Sequence, residues 1–168
     1  MLRRSPSTKL QGESAEVCFL WRATQLGFTI SRPYGDARYD FVVDTGRALH
    51  RVQVKSVSKP LRGVYRIATS SGRAAKKGYT PDEIDFLAGY VIPEDAWYIV
   101  PIALVPGYVC IHVCPHRRSR RKYERFREAW HLLRGCGADA LVRVPPRSSV
   151  MFSEAVTPDR KVFVGNPK

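Results

Sequence analysis

The chain contains no long hydrophobic run. No apolar stretch approaches the roughly 20 residues a bilayer-spanning helix needs, so no span is expected. Its start, MLRRSPSTKLQGES, has basic residues but no apolar core behind them, and so reads as no secretory signal. Cysteine is scarce. Cys18, Cys110, Cys114 and Cys136 are too few and too scattered for a disulfide framework, so free thiols in a reducing compartment are expected. No internal repeat is visible, which sets aside solenoids and propellers. Acid is the scarcer charge: 15 Asp and Glu face 28 Lys and Arg, a net charge of +13. The excess is concentrated in residues 106–168, with 13 basic and 5 acidic side chains, and points to a polyanionic partner. With no span to favour a membrane, nucleic acid is the expected partner, and the expected location is cytoplasmic, at the nucleoid.

What is present is enough for one domain. A chain of 168 residues, 44% hydrophobic and 11% aromatic, can bury a core and is not disordered. Residues 1–9 read as a loose basic tail. From Gln11 to Leu26 the spacing predicts a helix with Val17, Leu20, Trp21 and Thr24 on one face and Gly27 as its stop. Glu13 and Glu16 point the same way from its first turns. Strands are predicted at Phe28–Ser31, Val64–Ser70, Phe86–Ile92, Trp97–Leu104 and Tyr108–Cys114. Ser119 to Leu133 reads as a basic amphipathic helix with Tyr123, Phe126, Trp130 and Leu133 as its apolar stripe. Trp21, Trp97 and Trp130 are expected in the core. Beyond Gly135 the chain is irregular and Pro-rich, an extension of unassigned role with short strands at Ala140–Val144 and Lys161–Val164. This order predicts an α/β (α+β) fold, a central mixed sheet flanked by helices.

The stretch Gly35–Val57, GDARYDFVVDTGRALHRVQVKSV, reads as a β-hairpin. A four-residue loop, Thr45–Ala48, pairs Val43 with His50 and Asp40 with Gln53. Residues two apart share a face, so Asp40, Gln53 and Lys55 meet on one side. A carboxylate, an amide oxygen and an ammonium brought together in a sheet are costly unless paired or bound to a cation. Each alone has an ordinary reading: Asp40 as a hairpin cap, Gln53 and Lys55 as solvated positions, Glu16 as a helix acid. In order, the four favour catalysis.

These residues resemble a family. Gly12-Glu13-Ser14-Ala15-Glu16, the helix closed by Gly27-Phe28, Arg32-Pro33, Gly35-Asp36, Tyr39-Asp40-Phe41-Val42-Val43 and Arg51-Val52-Gln53-Val54-Lys55-Ser56 are similar to the PD-(D/E)xK nuclease superfamily, group I intron homing endonuclease-type branch. That branch carries Gln where most relatives carry an acid. Asp82-Glu83-Ile84-Asp85-Phe86 and Trp97-Tyr98-Ile99-Val100-Pro101-Ile102 extend the likeness across residues 10–104. The resemblance implies a restriction-endonuclease-like core over residues 10–134 and a metal-dependent DNA endonuclease. Its implied catalytic residues are Glu16, Asp40, Gln53 and Lys55, with Glu13 a one-turn alternative to Glu16. Mg²⁺ or Mn²⁺ would be held by Asp40, Gln53, the Val54 carbonyl and Glu16. Lys55 would act as general base or as a cation on the transition state. The implied assembly is a homo-oligomer, a dimer or tetramer. Site-specific homing cleavage is the leading activity; Holliday-junction-type resolution, a catalytically inactive DNA-binding module and an RNA-associated basic protein are the alternatives.

Two basic groups are candidate DNA contacts: Arg117, Arg118, Arg120, Arg121 and Lys122, and the loop residues Arg73, Lys76 and Lys77. Cys110, His112, Cys114 and His116 alternate, as if sharing one strand face. A straight strand spreads such ligands about 6–7 Å per step, so a structural strand is favoured over a zinc site.

Overall fold

The computed structural model describes residues 7–72, 76–105 and 107–135. The predicted strands at 140–144 and 161–164, and Arg73 and Cys136, lie outside the described residues. Helix α1 spans Thr8–Gln25, starting three residues earlier than the periodicity suggested, because the Ser7 hydroxyl caps the Leu10 N–H. Gly27 (φ 82°) stops it. The Gly27 and Phe28 amides donate back to the Thr24 and Ala23 carbonyls, closing the last turn.

The core is one mixed sheet. Strands β1 (Thr29–Ser31), β2 (Phe41–Asp44), β3 (Leu49–Val57), β7 (Phe86–Val91) and β8 (Ala96–Pro101) lie in the order β1-β2-β3-β7-β8. Only β3 and β7 run parallel. The hairpin register is the predicted one: Val43 pairs with His50 across the Thr45–Ala48 loop. Between β3 and β7 the chain forms β4 (Tyr65–Ala68), β5 (Ser70–Ser71) and β6 (Lys77–Gly78); β4 pairs with β9 (Cys110–Val113) and β5 with β6.

Helix α1 covers one sheet face, but not with the expected side. It buries Ala15, Phe19 and Ala23, while Val17, Leu20 and Trp21 are exposed. Two alanines let the helix approach the sheet closely, and Phe19 then fills the space, stacking on Phe41 (5.4 Å) and meeting Trp97 and Trp130 edge-on or tilted. Trp97 and Trp130 are core as expected; Trp21 is not. The opposite sheet face is covered by the β4–β9 ribbon. Ile67 lies so close to Gly89 of β7 that a Cβ there would fall 2.7 Å from its Cδ1, so any larger residue would have to push the Ile67 side chain aside.

The second predicted helix, Ser119–Leu133, is absent: short 3₁₀ turns occupy Glu124–Phe126 and Trp130–Arg134. Strand β8 is a sheet edge with backbone groups to satisfy. The Glu128 N–H donates to the Trp97 carbonyl (2.8 Å) and its carboxylate accepts from the Trp97 N–H (2.7 Å). Glu128 takes φ 49°, which a helix forbids. Tyr123, Phe126, Trp130 and Leu133 are nonetheless all buried. No helix among the described residues is long and apolar enough to cross a membrane.

Candidate active site

Asp40 stands one residue before β2, where its own N–H donates to the Val52 carbonyl (3.0 Å) and extends the hairpin ladder. Its carboxylate therefore faces β3. Oδ2 accepts from the Val54 N–H (2.7 Å) and from the Gln53 side-chain amide. The same Gln53 Nε2 donates to the Val54 carbonyl (3.2 Å). Gln53 is buried. Its NH₂ group thus sits between a carboxylate oxygen and a backbone carbonyl, the position a small cation shared by those two oxygens would take.

Glu16 enters from α1, which rests against β3 through a Gln11 Nε2 to Ser56 Oγ bond (3.2 Å). A cleft of about 210 Å³ carries Glu16 and Asp40 together with Arg32, Asp36 and Tyr39. Burial, then the nearby Asp40 charge, pushes the Glu16 carboxyl up; the Arg32 guanidinium, which pairs with it, opposes the rise. Arg32 also lies over the Phe41 ring at 5.0 Å. Glu13 is exposed and pairs with Lys9, away from this cleft.

Lys55 follows Gln53 on the same sheet face, and its Nζ lies 5.6 Å from the centre of the Tyr79 ring. Arg38 packs on that ring at 5.0 Å and pairs with Glu83 (3.2 Å). Burial opposes ionisation of Glu83, but hydrogen bonds from Arg38, the Thr80 N–H and Lys77 outweigh it and hold the carboxyl low. The turn carrying Glu83 is braced to β3 by Arg51, which pairs with Asp85 (3.0 Å) and donates to the Pro81 and Asp82 carbonyls. Asp40, Gln53 and Val54 are therefore joined directly, Glu16 faces Asp40 across the cleft, and Lys55 is held to one side by an aromatic ring. Arg38 and Tyr79 were not singled out from the sequence, and Arg32 entered only with Pro33 in the family likeness, without a role at the site; nothing local connects Tyr79 to Lys55.

Among the described residues, no three His, Cys, Asp or Glu side chains cluster as a ready metal site. The groups that could hold a cation here are the Asp40 and Glu16 carboxylates, the Val54 carbonyl and, with its side chain turned over, the Gln53 amide oxygen, hard oxygens suited to Mg²⁺ or Mn²⁺ and poorly suited to zinc. The bridging Gln53 NH₂ is the observation that fits a cation there.

The remaining candidates lie elsewhere. Arg117, Arg118, Arg120, Arg121 and Lys122 are exposed, on an irregular segment rather than a helix start. Lys76 is exposed just before β6 and Lys77 is exposed as its first residue, paired to Glu83 (3.3 Å). The shared face of Cys110, His112, Cys114 and His116 fails at Cys114, which is buried with its thiol on the Gly63 carbonyl (3.7 Å).

Residues 6–133 match the family described as PD-(D/E)XK endonuclease, and the chain belongs to that family. Among solved structures, it is similar to a bacterial homing endonuclease, I-Ssp6803I, at 30% sequence identity and a TM-score of 0.69, covering 82% of this chain and 99% of that one. No curated protein sequence matches it.

Proposed function

We propose that this chain hydrolyses DNA phosphodiester bonds with the help of Mg²⁺ or Mn²⁺, and that its task is site-specific homing cleavage. The observation that carries this reading is the bridging of Asp40 and the Val54 carbonyl by the Gln53 amide, with Glu16 across the cleft. Asp40 would be the central ligand, joined by the Val54 carbonyl, the Gln53 amide oxygen and Glu16. For the amide oxygen to serve, the Gln53 side chain must turn over, since its NH₂ now faces both acceptors. A divalent cation bound there supplies charge neutralisation at the scissile phosphate. Arg32 holds Glu16 in place and offsets its charge in the free protein. Lys55, in the ring-face contact that an ammonium makes, is assigned electrostatic stabilisation of the charge that builds on the phosphate.

The exposed Arg117, Arg118, Arg120, Arg121, Lys122, Lys76 and Lys77 would contact DNA phosphates, so binding should weaken steeply with salt. Cutting both strands of a duplex takes two such sites, so the working unit is a homo-oligomer, a dimer or tetramer, acting at the nucleoid. The neutral Gln53 favours a second reading, a DNA-binding module without catalysis. Supercoiled plasmid separates the two. Wild type with Mg²⁺ should nick and linearise it, EDTA should stop this, and Lys55→Ala should slow it by about 100-fold or more. Equal cleavage by wild type and Lys55→Ala removes the catalytic assignment. Preference for a four-way junction over linear duplex would replace homing with resolution.

A further inference from the structure

We infer that the β4–β9 ribbon is the element that reads base pairs, lying in the major groove of duplex DNA. The inference rests on the proposed DNA cleavage and adds what selects the sequence. The pairing register Tyr65 with Val113, Arg66 with His112, Ile67 with Ile111 and Ala68 with Cys110 divides the ribbon cleanly. Tyr65, Ile67, Ile111 and Val113 are buried against the sheet; Arg66, Ala68 and His112 are exposed and Cys110 is half-exposed. This outer face has no protein layer on it among the described residues.

Its surroundings are cationic. Two open hollows of about 500 Å³ each flank it and share His112 and Arg121. The first adds Arg62 and Arg66; the second adds Tyr108 and Lys122, whose Nζ lies 5.8 Å from the Tyr108 ring. Among the described residues, no acidic side chain lines either hollow. Charge complementarity therefore selects a polyanion. Shape then selects B-form DNA, whose major groove admits a two-stranded ribbon, whereas the major groove of A-form RNA is too deep and narrow.

The chemistry at the centre suits base edges. Arg66 donates to the Cys110 thiol (3.6 Å), and the His112 Nε2 lies 3.8 Å from the same sulfur. These contacts hold a guanidinium fork and an imidazole side by side and outward. An arginine fork is the commonest partner of guanine O6 and N7. The ribbon is also tied to the cutting site. Past Ala68, the Thr69 N–H and hydroxyl donate to the Val109 and Tyr108 carbonyls, and the Thr69 carbonyl accepts from the Tyr79 N–H (3.0 Å). Tyr79 is the residue whose ring meets Lys55. Base reading and cleavage are thus fixed at one distance.

The test is selection from a randomised duplex library in EDTA, so that it reads binding without cleavage. Wild type should enrich a motif. The Arg66→Ala/His112→Ala variant should melt at the wild-type temperature, because both side chains are exposed, yet lose about 10-fold or more of its preference for that motif over a scrambled duplex. Equal weakening on motif and scrambled duplex would make the pair phosphate contacts and overturn the inference, as would an undiminished preference or equal competition by duplex RNA. A wild type that enriches a motif but never cuts DNA with Mg²⁺ upholds the ribbon and removes the nuclease reading instead.

Discussion

Gln53→Glu tests the site most directly, because it restores the acid most PD-(D/E)xK relatives carry and should make the free protein worse. Gln53 is buried, and its amide donates to Asp40 Oδ2 and to the Val54 carbonyl. An ionised glutamate cannot donate. Losing a hydrogen bond to a charged group costs about 1.5–3 kcal/mol. Two carboxylates about 4 Å apart at an effective dielectric near 20 repel by about 4 kcal/mol. The pair can instead keep a proton, and holding it to about pH 8 from an ordinary glutamate value limits the repulsion to roughly 5 kcal/mol. We expect the variant to lose about 3–5 kcal/mol in urea unfolding at about pH 8 with EDTA, a large part of a typical domain's 5–15 kcal/mol. The folded pair then has a raised pKa, so its folded state binds more protons than the unfolded chain. Stability should return as pH falls toward about 5 and be lost as pH rises through the folded value. Added Mg²⁺ should restore it at high pH, since a cation that binds the folded state alone stabilises it. A loss below about 1 kcal/mol, unchanged by pH and by Mg²⁺, would show that Gln53 does not face Asp40 and would refute the reasoning.

Glu16 has its pKa raised mainly by burial, so its charge opposes folding above the unfolded value and this cost vanishes as pH falls below it. Glu16→Gln should therefore leave unfolding free energy at neutral pH equal or higher by up to about 1 kcal/mol, flatten its dependence on pH, and abolish plasmid cleavage. Phe19→Ala removes the ring shared by Phe41, Trp97 and Trp130 and should cost about 3–5 kcal/mol in urea unfolding. Gly89→Ala places a methyl group against Ile67 and should cost about 1–3 kcal/mol; a neutral result would mean the β4–β9 layer does not press on β7.

The site has fewer negative charges than a two-acid strand pair would give, and one of its two carboxylates is already paired with Arg32. Such a site should bind divalent cations weakly until a substrate phosphate adds charge, which calorimetry with and without an uncleavable duplex would measure.

Local chemistry made several elements legible. The Gly27 stop, the Thr45–Ala48 loop and the strand alternation of Tyr39–Asp44 and Leu49–Val57 are each written in a few neighbouring residues, and they set the register that joins Asp40 to Gln53. The burial of Tyr123, Phe126, Trp130 and Leu133 was legible too, since apolar side chains leave water whatever the backbone does. Three things were decided only in the folded chain. The helix buries Ala15, Phe19 and Ala23 rather than its bulkier face, because small residues allow the closest approach to the sheet. Residues 127–128 left the helical path because the β8 edge offered hydrogen bonds a helix could not match in place. Lys55 was set against Tyr79, and Glu16 against Arg32, by segments 24 and 16 residues away, contacts that exist only once the sheet and its two covering layers have closed. Periodicity and turn residues act over a few positions of chain; which face meets which neighbour is settled by shape and unsatisfied backbone groups across the whole core.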